Sequence, residues 1–186
     1  MRVPGAWDPF ETAVRAVIGQ VVSVKAATTL TGRLATRQGE PLAGWVGGLT
    51  HLFPTPERLA QADLSGLGLS NQKIGSIRAL AGAVATGELR FTELTDLDEA
   101  LERLQALPGV GPWTANYLAM RALGLGDAFP AGDLILRRAA AAGGGTLSER
   151  ELYAISQRWR PYRGYAAMLL WASYSGPVAN RRGAVG

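Results

Sequence analysis

The sequence predicts an all-α protein, and three observations carry that prediction. Apolar residues recur at helical spacing along most of the chain, capping residues stand at the head of these stretches, and no stretch alternates apolar and polar residues as a half-buried strand does. With 186 residues, 47% of them hydrophobic, the chain can bury a core as one sizeable domain or as two small lobes sharing a cleft.

The elements follow in order. Residues 9–18, PFETAVRAVI, space Phe10, Val14, Val17 and Ile18 on one helical face, with Pro9 in the first turn, where its missing N–H is tolerated. The β-branched run GQVVSV breaks this helix near Gly19. It leaves Gln20, Val21 and Val22 in a junction, after which Ser23 caps a second helix ending at Gly39. Thr55 followed by Pro56 opens a short helix in 53–60, and Ser70 opens a longer one closed by Gly87. Thr95 or Asp96 caps 95–107, where Leu97, Leu101 and Leu104 share a stripe; 133–142, 148–159 and 163–174 continue the pattern. The run AAAAGGG reads as a loop, and 178–186 as a flexible tail.

Composition narrows the chemistry. With no cysteine there are no disulfides, thiolate nucleophiles or cysteine-ligated metals, and the lone His51 is distant in sequence from both the 107–120 stretch and Asp133. No run approaches the roughly 18 apolar residues of a membrane span, and MRVPGAWDPF lacks the apolar core of a signal peptide, so a cytoplasmic protein is expected. The 19 basic residues give a net charge of +4, and all but Lys25 and Lys73 are arginines. A rigid guanidinium fork suits phosphate, which favours a polyanionic partner.

The stretch LPGVGPWTANYLAM, 107–120, poses the sharpest question, because glycine at the head of a helix loses more entropy on folding than alanine. A helix, a PGVG turn and a second helix leave unpaired backbone N–H groups at the second helix start. The glycines let a phosphate approach them, aided by the helix dipole. A bare GxG serves equally well as a tight αα turn. Further on, Asp133 in FPAGDLILRR reads by itself as a helix N-cap.

Together with DPFETAVRAVIGQVVSVKAA, FPTPERLA, DAFPAGDLILRRA and RWRPYRGYAAMLLW, this hairpin resembles the helix-hairpin-helix DNA glycosylase superfamily, in particular its 3-methyladenine DNA glycosylase II branch. The resemblance covers nearly the whole chain. It implies two helical lobes flanking an active-site cleft, one from about 1–20 plus 126–177 and the other from about 21–125. It implies a monomer that binds double-stranded DNA and excises alkylated purines of the 3-methyladenine and 7-methylguanine type by flipping the base and hydrolysing its N-glycosidic bond.

On this resemblance Gly109 and Gly111 hold the DNA backbone, and carbonyls of Gln105, Leu107 and Val110 hold a monovalent cation; no other cofactor is required. Asp133 becomes the catalytic carboxylate, a role compatible with capping because a cap is held fixed. Val21 becomes the wedge that fills the vacated stack, although the family has a longer leucine there. Trp171 faces the flipped base with Trp113 and Tyr117, whereas Trp159, Tyr162 and Tyr165 read as structural. Gln20 is expected to touch the opposite strand, Thr114 to cap the hairpin helix and add its hydroxyl to the phosphate, and Arg137 and Arg138 to reach the backbone. The lysine used by strand-nicking relatives would stand where Trp113 is, so a monofunctional enzyme without lyase activity is expected. The family branch also carries a mixed α/β domain before the first shared helix, so the chain reads either as a minimal form or as a section cut from a longer polypeptide, and the sequence leans towards the cut. The rival reading is a helix-hairpin-helix module that grips DNA and catalyses nothing.

Overall fold

The computed structural model describes residues 2–141 and 143–175, so the 178–186 tail lies outside the described residues. Its helices are α1 (Pro9–Gly19), α2 (Val24–Gln38), α3 (Pro56–Gln61), α4 (Asn71–Ala85), α5 (Leu97–Gln105), α6 (Pro112–Arg121), α7 (Leu134–Ala139), α8 (Glu149–Ser156) and α9 (Arg163–Ser175). Most begin on a local side-chain cap: Asp8, Ser23, Thr55, Ser70, Asp96, Asp133 and Ser148 each accept a first-turn N–H. Ser148 and Glu151 form a reciprocal capping box.

The helical expectation misses one element. Strands β1 (Pro41–Val46) and β2 (Leu49–His51) pair antiparallel, Pro41 opposite His51 and Val46 opposite Leu49, with an irregularity between. The turn is Gly47–Gly48, both at positive φ, which suits a two-residue hairpin, but PLAGWV and LTH are too short for a period-2 pattern to stand out.

The interior divides into two apolar clusters. The larger joins Val14, Val17 and Ile18 of α1 with Leu34, Leu59, Ile77, Leu80, Leu104 and Leu118; the smaller joins Met120, Phe129, Leu136, Leu152 and Ala167. Helix α1 packs on α2, α4 and α6 within the larger cluster, while the segment before it reaches the smaller cluster through Val3. Helix α6 serves both, with Ala115 and Leu118 in one cluster and Ala119 and Met120 in the other.

Candidate active site and nucleic-acid interface

Asp133 sits at the start of α7, half-buried, with both carboxylate oxygens engaged. Its Oδ1 accepts from the Leu136 N–H at 2.9 Å and from the Trp171 indole Nε1 at 3.1 Å, and its Oδ2 accepts from the Trp113 indole Nε1 at 3.0 Å. Cap and candidate catalytic group are thus one side chain, oriented by three N–H donors from three helices. Asp133 borders a cavity of about 700 Å³ whose walls include Thr12 and Ala16 of α1, Ala27 and Thr31 of α2, and Trp113 and Tyr117 of α6. Neither Lys25 nor Lys73 lines it.

The aromatic groups divide by position. Trp113 stacks on Tyr117 with centroids 5.4 Å apart and an interplanar angle of 16°, and the Arg121 guanidinium lies 5.8 Å from the Tyr117 centroid. One turn apart along α6, these three side chains form a ladder in which Tyr117 is flanked on both sides. Trp171 meets Tyr117 edge to face at 6.5 Å and stands beside the carboxylate rather than among the residues lining the cavity. Helix α9, which carries Trp171, is anchored at its first residue: buried Arg163 donates to both oxygens of Asp127 at 2.8 and 2.9 Å, and Arg160 adds a bond at 2.9 Å. Burial pushes the Asp127 carboxyl up, but the Arg163 hydrogen bonds and the two guanidinium charges outweigh it and hold the group below the usual carboxylate value.

The hairpin between α5 and α6 explains its two glycines differently. Gly109 has φ +78°, and a Cβ there would collide with the Ser76 side chain of α4, so the fold itself demands glycine. Gly111 has φ −85°, a conformation open to any residue, and a Cβ there would meet nothing within 4 Å, so the fold itself does not demand glycine at this position. Gly111 is the N-cap of α6, and no side chain caps that helix. The Trp113 and Thr114 N–H groups precede the first intrahelical bond, from Ala115 to Gly111, and Gly111 is exposed.

The junction after α1 is a type II turn. Gln20 at φ −57°, ψ 127° precedes Val21 at φ +57°, and the Val22 N–H closes the turn on the Gly19 carbonyl at 3.4 Å. Val21 occupies the position normally given to glycine, and its side chain is fully exposed. Two expectations need correction here. The Gln20 amide donates to the Gly109 carbonyl at 3.0 Å and to Thr114 Oγ1 at 2.9 Å, so it ties the junction to the hairpin instead of reaching outward. Thr114 is buried and lies inside the first turn, where its hydroxyl accepts from Gln20 and caps nothing. Arg137 donates to the Leu147 carbonyl at 2.6 Å, which commits it internally, while Arg138 is exposed.

The residues that sequence reasoning missed are Lys73 and Ser76 on α4 and the Asp127–Arg163 pair. Each acts through a partner more than 30 positions away, which no local pattern discloses. No helix among the described residues is long and apolar enough to cross a membrane.

Residues 14–161 match the family model described as HhH-GPD superfamily base excision DNA repair protein. The chain is 46% identical over 177 residues to the probable bifunctional transcriptional activator/DNA repair enzyme AlkA of Mycobacterium tuberculosis, covering 95% of this chain and 36% of that protein. It is 39% identical over 174 residues to DNA-3-methyladenine glycosylase 2 of Escherichia coli, covering 92% of this chain and 60% of that one, so it spans only part of these curated relatives. Among solved structures, the Schizosaccharomyces pombe 3-methyladenine DNA glycosylase in complex with abasic DNA superposes with a TM-score of 0.77 at 27% identity, covering 95% of this chain and 87% of that chain. A mostly helical chain with a PGVG hairpin, matched by the family model over most of its length, belongs to the HhH-GPD superfamily of base excision DNA repair proteins.

Proposed function

We propose that this chain is a DNA N-glycosylase that excises alkylated purines from duplex DNA and does not cut the strand. The observation that carries the reading is the carboxylate of Asp133, fixed by two indole N–H groups and a helix start at the edge of a cavity beside the hairpin. The names of the E. coli and S. pombe relatives point the same way.

The uncapped start of α6 offers N–H groups to a strand phosphate, with the helix dipole adding partial positive charge and no Cβ at Gly111 in the way. Val21, exposed at the tip of the adjoining turn, enters the base stack where the target nucleoside leaves it. The extruded base rests against the Trp113 end of the aromatic ladder. An electron-rich ring favours a cationic base there by about 0.5–2 kcal/mol, while Tyr117 supports Trp113 from behind. As the N-glycosidic bond breaks, the sugar acquires oxocarbenium character, and the Asp133 carboxylate stabilises that charge. The bonding electron pair leaves with the base; a purine alkylated at a ring nitrogen is cationic beforehand and departs neutral, so little help from a general acid is needed. Water adds to the sugar carbon and releases its proton to solvent.

A strand-nicking mechanism needs an amine at the sugar. Trp113 stands at the place the family gives to that lysine, and Lys73 is bonded to backbone carbonyls instead. The Gln105, Leu107 and Val110 carbonyls fit a monovalent cation in donor chemistry: Leu107 O accepts the Val110 N–H at 3.1 Å and keeps a second lone pair. When bound, such an ion supplies positive charge beside the phosphate.

The test is release of free 3-methyladenine and 7-methylguanine from methylated duplex DNA by the wild type and by Asp133→Asn, followed chromatographically. Release that disappears in the variant, with strands that break only after alkali, is the expected result. No release by the wild type, despite DNA binding, would leave a gripping module without catalysis.

A further inference from the structure

The type II turn that presents Val21 sits on a support the glycosylase reading does not use. Every carbonyl from 17 to 20 is engaged: Val17 by the Gln20 N–H, Gly19 by the Val22 N–H, and both Ile18 and Gln20 by the Lys73 ammonium, at 2.7 and 2.8 Å. Lys73 belongs to the first turn of α4. One helical turn further on, Ser76 meets Gly109 of the hairpin, whose carbonyl accepts the Gln20 amide. Junction, α4 and hairpin therefore close a triangle, with Lys73 on the side that carries the turn.

A β-branched residue at φ +57° disfavours its own conformation, so the turn persists only while its surroundings over-determine it. An ammonium bridging the last carbonyls of α1 does this in two ways. It satisfies acceptors that would otherwise be pulled toward water, and it places positive charge at the negative end of the helix dipole. The half-buried position of Lys73 lowers its pKa through desolvation, so part of its hydration has been exchanged for these two carbonyls.

We propose that Lys73 is a positioning residue for base extrusion: it holds the Gly19–Val22 turn in the conformation that projects Val21 into the duplex, and touches neither the damaged base nor the sugar. The proposal rests on the glycosylase reading, and the test separates the two.

Excision is measured under single-turnover conditions for the wild type, Lys73→Met, Lys73→Arg and Val21→Ala, each also combined as Lys73→Met with Val21→Ala. One lesion is placed either in a fully paired duplex or in an unpaired bubble, where the base is unstacked beforehand and needs no wedge. Lys73→Met is expected to slow excision from the paired duplex by about tenfold, the scale of releasing one supported left-handed residue, and to leave the bubble substrate within about twofold. Lys73→Arg keeps charge and donors and retains most of the duplex rate. In the Val21→Ala background, Lys73→Met has no further effect, because the wedge it positions is gone.

Equal losses on both substrates, or effects that multiply in the double variant, would overturn the proposal and leave Lys73 a general stabiliser. If Lys73→Met does not fold, Lys73→Gln takes its place under the same criteria. A wild type that excises from neither substrate refutes the glycosylase reading instead.

Discussion

Helices α6 and α7 begin 22 residues apart, and their starts are built in opposite ways. At α7 the chain supplies its own anion: Asp133 fills the helix start, and two tryptophans add a hydrogen bond to each of its oxygens. At α6 the start carries a glycine and no capping side chain, although α1 to α5, α7 and α8 are all capped. One electrostatic device thus takes two forms, an intramolecular carboxylate at one helix and room for an external anion at the other. The difference teaches that the proposed phosphate grip and the proposed catalytic carboxylate rest on opposite local patterns of hydrogen bonding. The Asp133 carboxylate is fixed by three donors, whereas the α6 start has no capping side chain.

The contrast is tested first at α7. Asp133→Asn keeps a good N-cap but turns an amide N–H₂ toward an indole donor. Stability should fall by only about 1 kcal/mol, while the excision rate falls about 10²–10³-fold. Thermal melting and single-turnover kinetics on the same preparation check the split. A parallel loss in both would mean that the carboxylate is a cap alone.

The hairpin glycines give the next two effects. Gly109→Ala should destabilise the fold by about 3 kcal/mol in urea titration, because the Cβ meets Ser76 in a left-handed backbone; adding Ser76→Gly should recover part of that loss. Gly111→Ala should change stability by less than about 0.5 kcal/mol, since its Cβ meets open space, yet weaken DNA binding about tenfold and make its salt dependence shallower. Equal DNA affinity for Gly111→Ala and wild type would remove the open helix start from the binding account. The smallest effect is expected at α9, where Trp171→Phe keeps an aromatic body and loses the N–H to Asp133. About a fivefold drop in excision rate with unchanged DNA affinity is expected, read from the separate rate and binding constants.

These contrasts also mark what a sequence discloses. Ser23, Thr55, Ser70, Asp96, Asp133 and Ser148 are legible as helix starts because a cap acts on an N–H two or three residues away, well within a window of sequence. The Gln20 amide is different. Its partners lie 89 and 94 residues on, so its polarity suggests an outward role that the packed structure redirects inward. Trp113 and Trp171 show an intermediate case. Family resemblance points to both, but that their indole N–H groups converge on one carboxylate depends on how α6, α7 and α9 pack. The β1–β2 hairpin escaped notice because six and three residues give periodicity too little length.

The placement of α6 across both apolar clusters has a mechanical consequence. Ala115 and Leu118 are sealed into one interior and Ala119 and Met120 into the other, so neither cluster owns a complete hydrophobic seat without this rod. A polypeptide severed after residue 125 would leave the trailing fragment lacking Ala119 and Met120, and the two parts should regain solubility only when mixed. The open start of α6 and the Asp133 carboxylate are accordingly tied together within the first turn of one stiff ten-residue helix, through the Trp113 indole, and not across a hinge.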